Sequence, residues 1–272
     1  DYGQEFEFTY SDFFIGGYMV ESDPIDPCTF YGFSPWFPFL ISSDCGQSWI
    51  QNYLQFDPAD MAINPDNNST YYLSGMEGIL KTEDNLSSWQ LKNNGLQIEE
   101  NQFYYVIAIN PFNTDILLTA NADSLYKTDD GGESWFSILA EGCKRIEYHP
   151  TLPGVAGVIT FSDSLLITFN NGVYWENYTS NLPDYPLSDF KFSIDESTVY
   201  VSTDGNSIFI LDPDQLCRIG DVNGDYQLDI YDIVLVVNCI LYDSNCYCSD
   251  ADYNGDVDVS DIVILVEMIL GA

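Results

Sequence analysis

Two twelve-residue stretches near the C-terminus gather carboxylates and carboxamides at a spacing that suits a hard cation. The second, D-A-D-Y-N-G-D-V-D-V-S-D, offers side-chain oxygens at positions 1, 3, 5, 9 and 12, namely Asp250, Asp252, Asn254, Asp258 and Asp261. Asp256 at position 7 can add its carbonyl, and Gly255 at position 6 permits the sharp turn. The first, D-V-N-G-D-Y-Q-L-D-I-Y-D, repeats the scheme with Asp221, Asn223, Asp225, Gln227 through its carbonyl, Asp229 and Asp232, but carries Tyr226 at position 6. Calcium takes six to eight oxygens at about 2.3 to 2.6 Å, and a short loop folded around the ion supplies them. One acidic loop could be a solvated surface. Two in tandem, each running into the same D-I-V segment, predict two bound calcium ions.

The elements that must hold these loops are the apolar segments behind them. D-I-V-L-V-V-N-C-I-L (Asp232 to Leu241) and D-I-V-I-L-V-E-M-I-L (Asp261 to Leu270) read as helices that begin at loop position 12. They are apolar nearly all round, so they must pack against each other or a partner.

The 272-residue chain holds 43 acidic residues against seven Lys plus Arg, a formal charge of −36. That field repels nucleic acid and anionic membrane surfaces. With 46% hydrophobic and 15% aromatic residues the sequence is that of a packed protein, not of an acidic disordered one. No run has the roughly 18 to 20 apolar residues that spanning a bilayer requires, and no signal-type segment opens the chain, so a mature chain without membrane insertion is expected. Cys28, Cys45, Cys143, Cys217, Cys239, Cys246 and Cys248 lack the histidine partners of a zinc site, since His149 is the only histidine. Disulfides with one thiol left over fit better, in an oxidising, extracellular or cell-surface setting. Acceptor triplets for N-glycosylation begin at Asn67, Asn68, Asn85 and Asn177.

The first 210 residues carry an internal repeat. S-S-D-C-G-Q-S-W, T-E-D-N-L-S-S-W, T-D-D-G-G-E-S-W and T-F-N-N-G-V-Y-W end at Trp49, Trp89, Trp135 and Trp175, spaced 40, 46 and 40 residues apart. A second marker keeps step: I-N-P at Ile63 and Ile109, and Y-H-P at Tyr148. Each unit reads as strand, turn, strand, acidic turn, Trp-bearing strand, the length of a four-stranded propeller blade. About five units fit between Asp26 and Asp212. The last shows three strands, and the alternating E-F-E-F-T-Y of Glu5 to Tyr10 is expected to supply its fourth and close the ring. The competing reading pairs that strand with another molecule.

The eight-residue pattern resembles the Asp-box, or BNR, repeat of sialidase-like and sortilin-like β-propellers. In that resemblance Asp accepts backbone N–H bonds, Gly takes a positive φ, and Trp packs between sheets. Sialidases grip a carboxylate with three arginines, whereas this chain has only Arg145 and Arg218. The similar xyloglucanase-type hydrolases use two large propellers. Glu99 and Glu100 are the most eligible acid pair but read as a solvated loop, and His149 beside Pro150 reads as structural. The chain is therefore expected not to be an enzyme, with no catalytic residues.

The tandem loops match the EF-hand calcium loop at nearly every position, with Asp for the final Glu. Together with their helices they resemble a type I dockerin. That resemblance implies docking to a cohesin-like domain through loop positions 10 and 11, here Ile230, Tyr231, Val259 and Ser260. The expected architecture is mostly β: a small, about five-bladed propeller over residues 1–213 and an all-α, dockerin-like calcium module over 214–272. The expected role is a secreted structural or assembly subunit joined to a scaffold or to neighbouring copies in a fibre. The alternative is a glycoside hydrolase-class enzyme or glycan-binding module carried by its dockerin.

Overall fold

The computed structural model describes residues 19–34, 38–52, 54, 56–67, 69–98, 104, 106–182, 184–194, 198–205, 207–211, 220–222, 228–242, 248–251 and 256–270. Five antiparallel sheets follow one another in chain order. The first holds β1 (Met19–Ser22), β2 (Phe30–Phe33), β3 (Phe39–Ser42) and β4 (Ile50–Asn52). The second holds β5 (Pro58–Ile63), β6 (Tyr71–Gly75), β7 (Gly78–Thr82) and β8 (Gln90–Leu91). The third holds β9 (Val106–Ile109), β10 (Leu117–Ala120), β11 (Leu125–Thr128) and β12 (Phe136–Leu139). The fourth holds β13 (Cys143–Tyr148), β14 (Ala156–Thr160), β15 (Leu165–Thr168) and β16 (Glu176–Asn177). The fifth shows β17 (Leu187–Phe192), β18 (Val199–Thr203) and β19 (Ile208–Leu211). First strands pack side by side, β5 on β9, β9 on β13 and β13 on β17, so each sheet is a blade and the fold is a five-bladed β-propeller.

Middle strands are covered on both faces by neighbouring blades, so they are apolar continuously instead of alternately; Tyr71–Gly75, Leu117–Ala120 and Ala156–Thr160 are buried throughout. Four apolar clusters seal four blade junctions. Tyr31, Phe33, Met61, Tyr71 and Leu73 join the first and second blades, and Tyr72, Ile79, Ile107, Leu117 and Trp135 the second and third. Leu118, Leu125, Val158 and Leu166 join the third and fourth, and Ile159, Ile167, Phe190, Phe192 and Val201 the fourth and fifth. Each buried side chain of this size contributes about 1.5 to 3 kcal/mol. At the last junction Gly157 lets the Phe190 ring lie on the strand, because a Cβ there would stand 2.6 Å from it.

The acidic turns are one device built repeatedly. In the third blade the Thr128 hydroxyl donates to Asp130 Oδ1 (2.7 Å) and accepts from Gly132 N (3.0 Å). Asp130 then accepts Ser134 N (2.8 Å) and the Ser134 hydroxyl (2.6 Å). Ser42, Asp44 and Ser48 do the same in the first blade, as do Thr82, Asp84 and Ser88 in the second. Gly132 has φ +88°, and Leu86 holds the equivalent place at +65°. Trp135 is buried against the second blade and donates from Nε1 to the Lys92 carbonyl (2.8 Å).

The N-P markers form a second device. Asn110 Oδ1 accepts Phe112 N (2.8 Å) and Asn113 N (3.2 Å), Asp23 Oδ1 accepts Ile25 N and Asp26 N, and Asn64 Oδ1 accepts Asp66 N. In the fourth blade His149 takes the Asn role: its Nδ1 accepts Thr151 N (3.2 Å) and Leu152 N (3.1 Å), which leaves the proton on Nε2. This is the structural role the sequence suggested.

After the propeller come α1 (Ile230–Tyr242) and α2 (Val259–Leu270), which pack on each other through Val236, Ala251 and Leu265. Gly220 has φ +85° and donates to the Cys248 carbonyl (2.6 Å), tying the first loop to the start of the second. Cys28 and Cys45 form a disulfide with each other, Cys239 and Cys248 each take part in a disulfide, and Cys143 is a buried free thiol whose pKa burial pushes up to about 12.

Candidate functional site

The two acidic loops end on matching carboxylates at the heads of the helices. Asp232 and Asp261 are wholly buried. Asp232 Oδ1 accepts Val222 N (3.0 Å) and Oδ2 accepts Asp229 N (2.9 Å). In the second loop Asp261 accepts Ala251 N (2.6 Å) and Asp258 N (2.7 Å) in the same way. Position 9 repeats as well: Asp229 accepts Tyr231 N, and Asp258 accepts Ser260 N, each at 2.7 Å. The last carboxylate thus straps its loop closed between positions 2 and 9. A carboxylate oxygen has two lone-pair sites, so an oxygen that accepts one N–H can still face a cation. The donor set is hard oxygen throughout and fits calcium, not a softer metal.

Of the predicted ligands, Asp221, Asp229, Asp232, Asp250, Asp256, Asp258 and Asp261 are described, with Asp221 buried. Asn223, Asp225, Gln227, Asp252 and Asn254 lie outside the described residues. Among the described residues no group of three or more His, Cys, Asp or Glu is placed to hold a metal. Ile230, Tyr231, Val259 and Ser260 all stand exposed at the helix starts. The helices are not buried all round: Ile230, Val234 and Leu241 on α1 are exposed, as are their counterparts Val259, Val263 and Leu270 on α2. The acceptor residues Asn67, Asn85 and Asn177 are exposed, Asn67 and Asn177 with their side-chain oxygens bonded to backbone N–H groups; Asn68, like Glu99 and Glu100, lies outside the described residues.

The propeller axis gathers charges that sequence reading had not grouped. Asp60 on β5 accepts Met61 N (2.8 Å) and reaches into the next blade to accept Ile107 N (2.9 Å). Glu147 on β13 likewise reaches the fifth blade, where it ion-pairs with Lys191 and accepts Phe192 N (3.3 Å). Arg145 Nε lies 3.5 Å from Asp189 Oδ1. Glu21 on β1 is near enough to feel Lys191, Glu147 and Asp60. Burial raises the pKa of Glu21, with Lys191 opposing and Glu147 adding. Burial also lifts Asp60 to about 7 against its two backbone donors, Glu21 adding and Arg145 opposing. Glu147 is raised by burial despite Lys191. A signal for this cluster was present. Ser193 N bonds the Thr198 carbonyl as Asp23 N bonds that of Thr29 and His149 N that of Val155, so Ser193 is the fifth blade's marker position. Glu21, Glu147 and Lys191 stand two residues before Asp23, His149 and Ser193. Asp60, Arg145 and Asp189 stand four before Asn64, His149 and Ser193.

No protein-family model matches the chain, and no curated protein does. Solved structures resemble it in fold. A GH74 enzyme of Niastella koreensis superposes with a TM-score of 0.59 at 17% identity, over 68% of this chain and 33% of that one. The GH74 xyloglucanase from Xanthomonas campestris gives 0.55 at 15% identity, over 74% and 37%. YCF48 bound to D1 peptide gives 0.54 at 16% identity, over 73% and 69%. This chain spans about a third of the length of the GH74 enzymes it matches. These neighbours correct the expectation that the chain is not an enzyme, because they include glycoside hydrolases built on the same blades. The missing arginine triad argued only against sialidase chemistry, and the acids at the axis had not been weighed.

Proposed function

We propose that the chain is a secreted subunit in which two calcium ions fold a dockerin-like C-terminal module, and that this module joins the propeller to a protein partner in an extracellular assembly. The observation that carries this reading is the duplicated strap, Asp232 on Val222 and Asp229, and Asp261 on Ala251 and Asp258, at the heads of two packed helices. Bound calcium would supply a multivalent charge that the loop oxygens of Asp221 to Asp232 and Asp250 to Asp261 surround. Without it, carboxylates crowded in each loop repel one another. The partner would be a cohesin-like domain or a neighbouring copy, met by Ile230, Tyr231, Val259 and Ser260 and the apolar stripes behind them. The Cys28–Cys45 disulfide supports an oxidising compartment, where glycans on exposed Asn85 or Asn177 would also fit. The Asp-box resemblance supports a folding role for the acidic turns.

Calcium binding is tested by titrating the chelator-stripped chain while following hydrogen exchange in α1 and α2. Two ions per chain, with helix amides protected only in calcium, are expected; a chain that holds no calcium at millimolar concentration and keeps its helices protected overturns the reading. Light scattering with calcium and with chelator then separates a self-assembling chain from one that needs a foreign partner.

A second reading, that the propeller carried by this module acts on carbohydrate, is favoured by the acids at the axis. A carboxyl whose pKa burial lifts to about 7, within electrostatic reach of a second carboxyl, suits general acid catalysis at a glycosidic bond. Release of reducing ends from xyloglucan, lost in Glu21→Gln or Asp60→Asn, would support it; no release from any β-glucan tried would sink it.

A further inference from the structure

Four blade junctions repeat one another place by place, while the fifth is expected to take in Glu5 to Tyr10, which lie outside the described residues. Between the second and third blades, Tyr72 reaches across and donates its hydroxyl to the Gly131 carbonyl of the next acidic turn (3.0 Å). A Cβ on Gly132 would stand 3.5 Å from the Tyr72 ring, so ring and turn are in contact. One junction earlier, Tyr31, Asn85 and Leu86 hold the places of Tyr72, Gly131 and Gly132. Here the tyrosine does not close on the turn. The Tyr31 hydroxyl lies 3.0 Å from Asp23 Oδ2 in its own blade and 3.0 Å from the Tyr71 hydroxyl. Between Tyr31 and the turn of Asn85 and Leu86 a cavity of about 380 Å³ remains. Leu86 breaks the repeat as well. Gly46, Gly132 and Gly172 hold its place in the other turns, and Leu86 keeps their positive φ, at +65°, with a full side chain that lines the cavity. The opposite wall is tied in place. The Cys28–Cys45 disulfide and the bond from Cys45 N to the Cys28 carbonyl (2.9 Å) join the loop of Asp26 and Thr29 to the turn of Ser43.

We infer that this cavity between the first and second blades is a binding site for a sugar ring. Among the described residues no Lys, Arg or His lines it, which disfavours phosphate and carboxylate ligands. Its two carboxylates are committed to their own loop. Asp23 Oδ1 accepts Ile25 N and Asp26 N, and Oδ2 meets Tyr31, while Asp26 accepts Cys28 N and the Thr29 hydroxyl. The site is therefore poor for a bare cation. Ser43, Asn52 and Asn85 also line it, and their side chains make no hydrogen bond among the described residues. A carboxamide and a hydroxyl each donate and accept, which is what adjacent sugar hydroxyls require. Leu86 and Ile41 offer apolar surface to the C–H face of the ring. Small-molecule cavities run from about 300 to 1,000 Å³, and this one, at the lower end, suits a mono- or disaccharide. It lies at the marker end of the inner strands, whereas Asp60, Arg145 and Asp189 stand four residues before the markers. The inference is thus independent of the axial acids and of calcium.

The test is an NMR titration of the isotope-labelled full-length chain, made without glycosylation, with glucose, galactose, mannose, xylose and N-acetylglucosamine in turn. At least one is expected to give saturable shifts at the amides of Ser43, Asn52, Asn85 and Leu86, with Asn171 and Gly172 of the fourth blade unmoved. Asn52→Ala and Asn85→Gly are each expected to weaken that binding on the order of five- to tenfold, and the fourth-blade signals report whether the fold is kept. The inference is overturned if none of these sugars saturates a shift up to its solubility, if the shifts fall at the axis instead, or if both variants bind as the parent does. Asn85 also begins a glycan acceptor triplet, so the same seat suits a free saccharide or the first sugar of the chain's own glycan. A chain carrying a glycan on Asn85 separates the two. A free sugar that still shifts Ser43 and Asn52 is the ligand; loss of that response, with nuclear Overhauser contacts from the attached sugar to Asn52, gives the seat to the glycan.

Discussion

In the outer turns Asp44, Asp84 and Asp130 lie at the surface and accept bonds from a serine hydroxyl and the backbone, while at the axis Glu21, Asp60 and Glu147 sit half-buried among strand edges. The serine bonds hold Asp44 and Asp130 below the usual carboxylate range and Asp84 at about 2. Burial lifts the axial acids, Asp60 to about 7. Both groups recur with the same repeat, so residue type does not decide the outcome; radial position does. Near the rim a carboxylate keeps its hydration and gains donors. Near the axis it loses hydration, and backbone donors plus Arg145 and Lys191 compensate only in part. Outer carboxylates therefore favour folding when charged, and inner ones when protonated.

The largest expected effect removes an outer turn's hinge while leaving its carboxylate alone. Thr128 is fully buried and its hydroxyl joins Gly132 N to Asp130. Thr128→Val keeps the shape but leaves the Gly132 N–H without its acceptor, a loss of about 2 kcal/mol in chemical denaturation. A loss below about 0.5 kcal/mol would mean that Asp130 and Ser134 hold the turn by themselves, and that the hydroxyl is incidental.

Next in size is the pH dependence of the axis. Asp60 has its folded pKa above its unfolded value, so its contribution is complete below about pH 4 and is lost as pH rises through about 7. Asp84 has the opposite sign: its contribution is complete above about pH 4 and is lost as pH falls through about 2. Asp60→Asn is expected to flatten the stability profile between pH 4 and 7 by about 1 to 2 kcal/mol, since Asp60 keeps partial solvent contact. Its profile below pH 4 should keep the shape of the parent's. An unchanged slope in the upper window would place Asp60 with the outer acids and dissolve the contrast.

The contrast also explains what could be read from the sequence. The acidic turns and the N-P markers were legible because every blade must close the same hairpins with the same local bonds, and local bonds fix residue types at fixed offsets. Even a substituted copy kept its role: His149 presents Nδ1 where Asn110 presents Oδ1. The loop-helix duplication was legible for the same reason, and the helices proved longer by two residues at the start, where Ile230 and Val259 precede the buried aspartates. The axial charges stand at regular offsets from the markers, but what each of them meets was not legible. Which strand lies innermost, and which of its side chains meet the next blade, follows from five sheets packing around one axis. Asp60 meets Ile107 across 47 residues of sequence, and Glu147 meets Phe192 across 45. The face that each helix turns to the other was not legible for a related reason. Apolar residues all round α1 and α2 said that both need partners, whereas only the packed structure shows which stripe each helix turns to the other.

The smallest effect tests whether the outer carboxylate or its serine sets the low pKa. The fourth blade has Asn170 in place of Asp, and its Oδ1 accepts the Thr168 hydroxyl (2.9 Å) and Tyr174 N (2.9 Å). Tyr174 stands where the other turns have Ser48, Ser88 and Ser134, so this copy lacks the hydroxyl that bonds the second carboxylate oxygen. Asn170→Asp should change stability by no more than about 0.5 kcal/mol, because an exposed charge gains little and the chain is already strongly anionic. The carboxyl it introduces should titrate closer to the ordinary range than that of Asp84, followed by carbon-detected NMR. Adding Tyr174→Ser restores the short hydroxyl bond and should draw the same carboxyl down toward Asp84. If the single substitution already titrates as low as Asp84, the backbone and threonine donors suffice, and serine at that place serves the turn's shape instead of its charge.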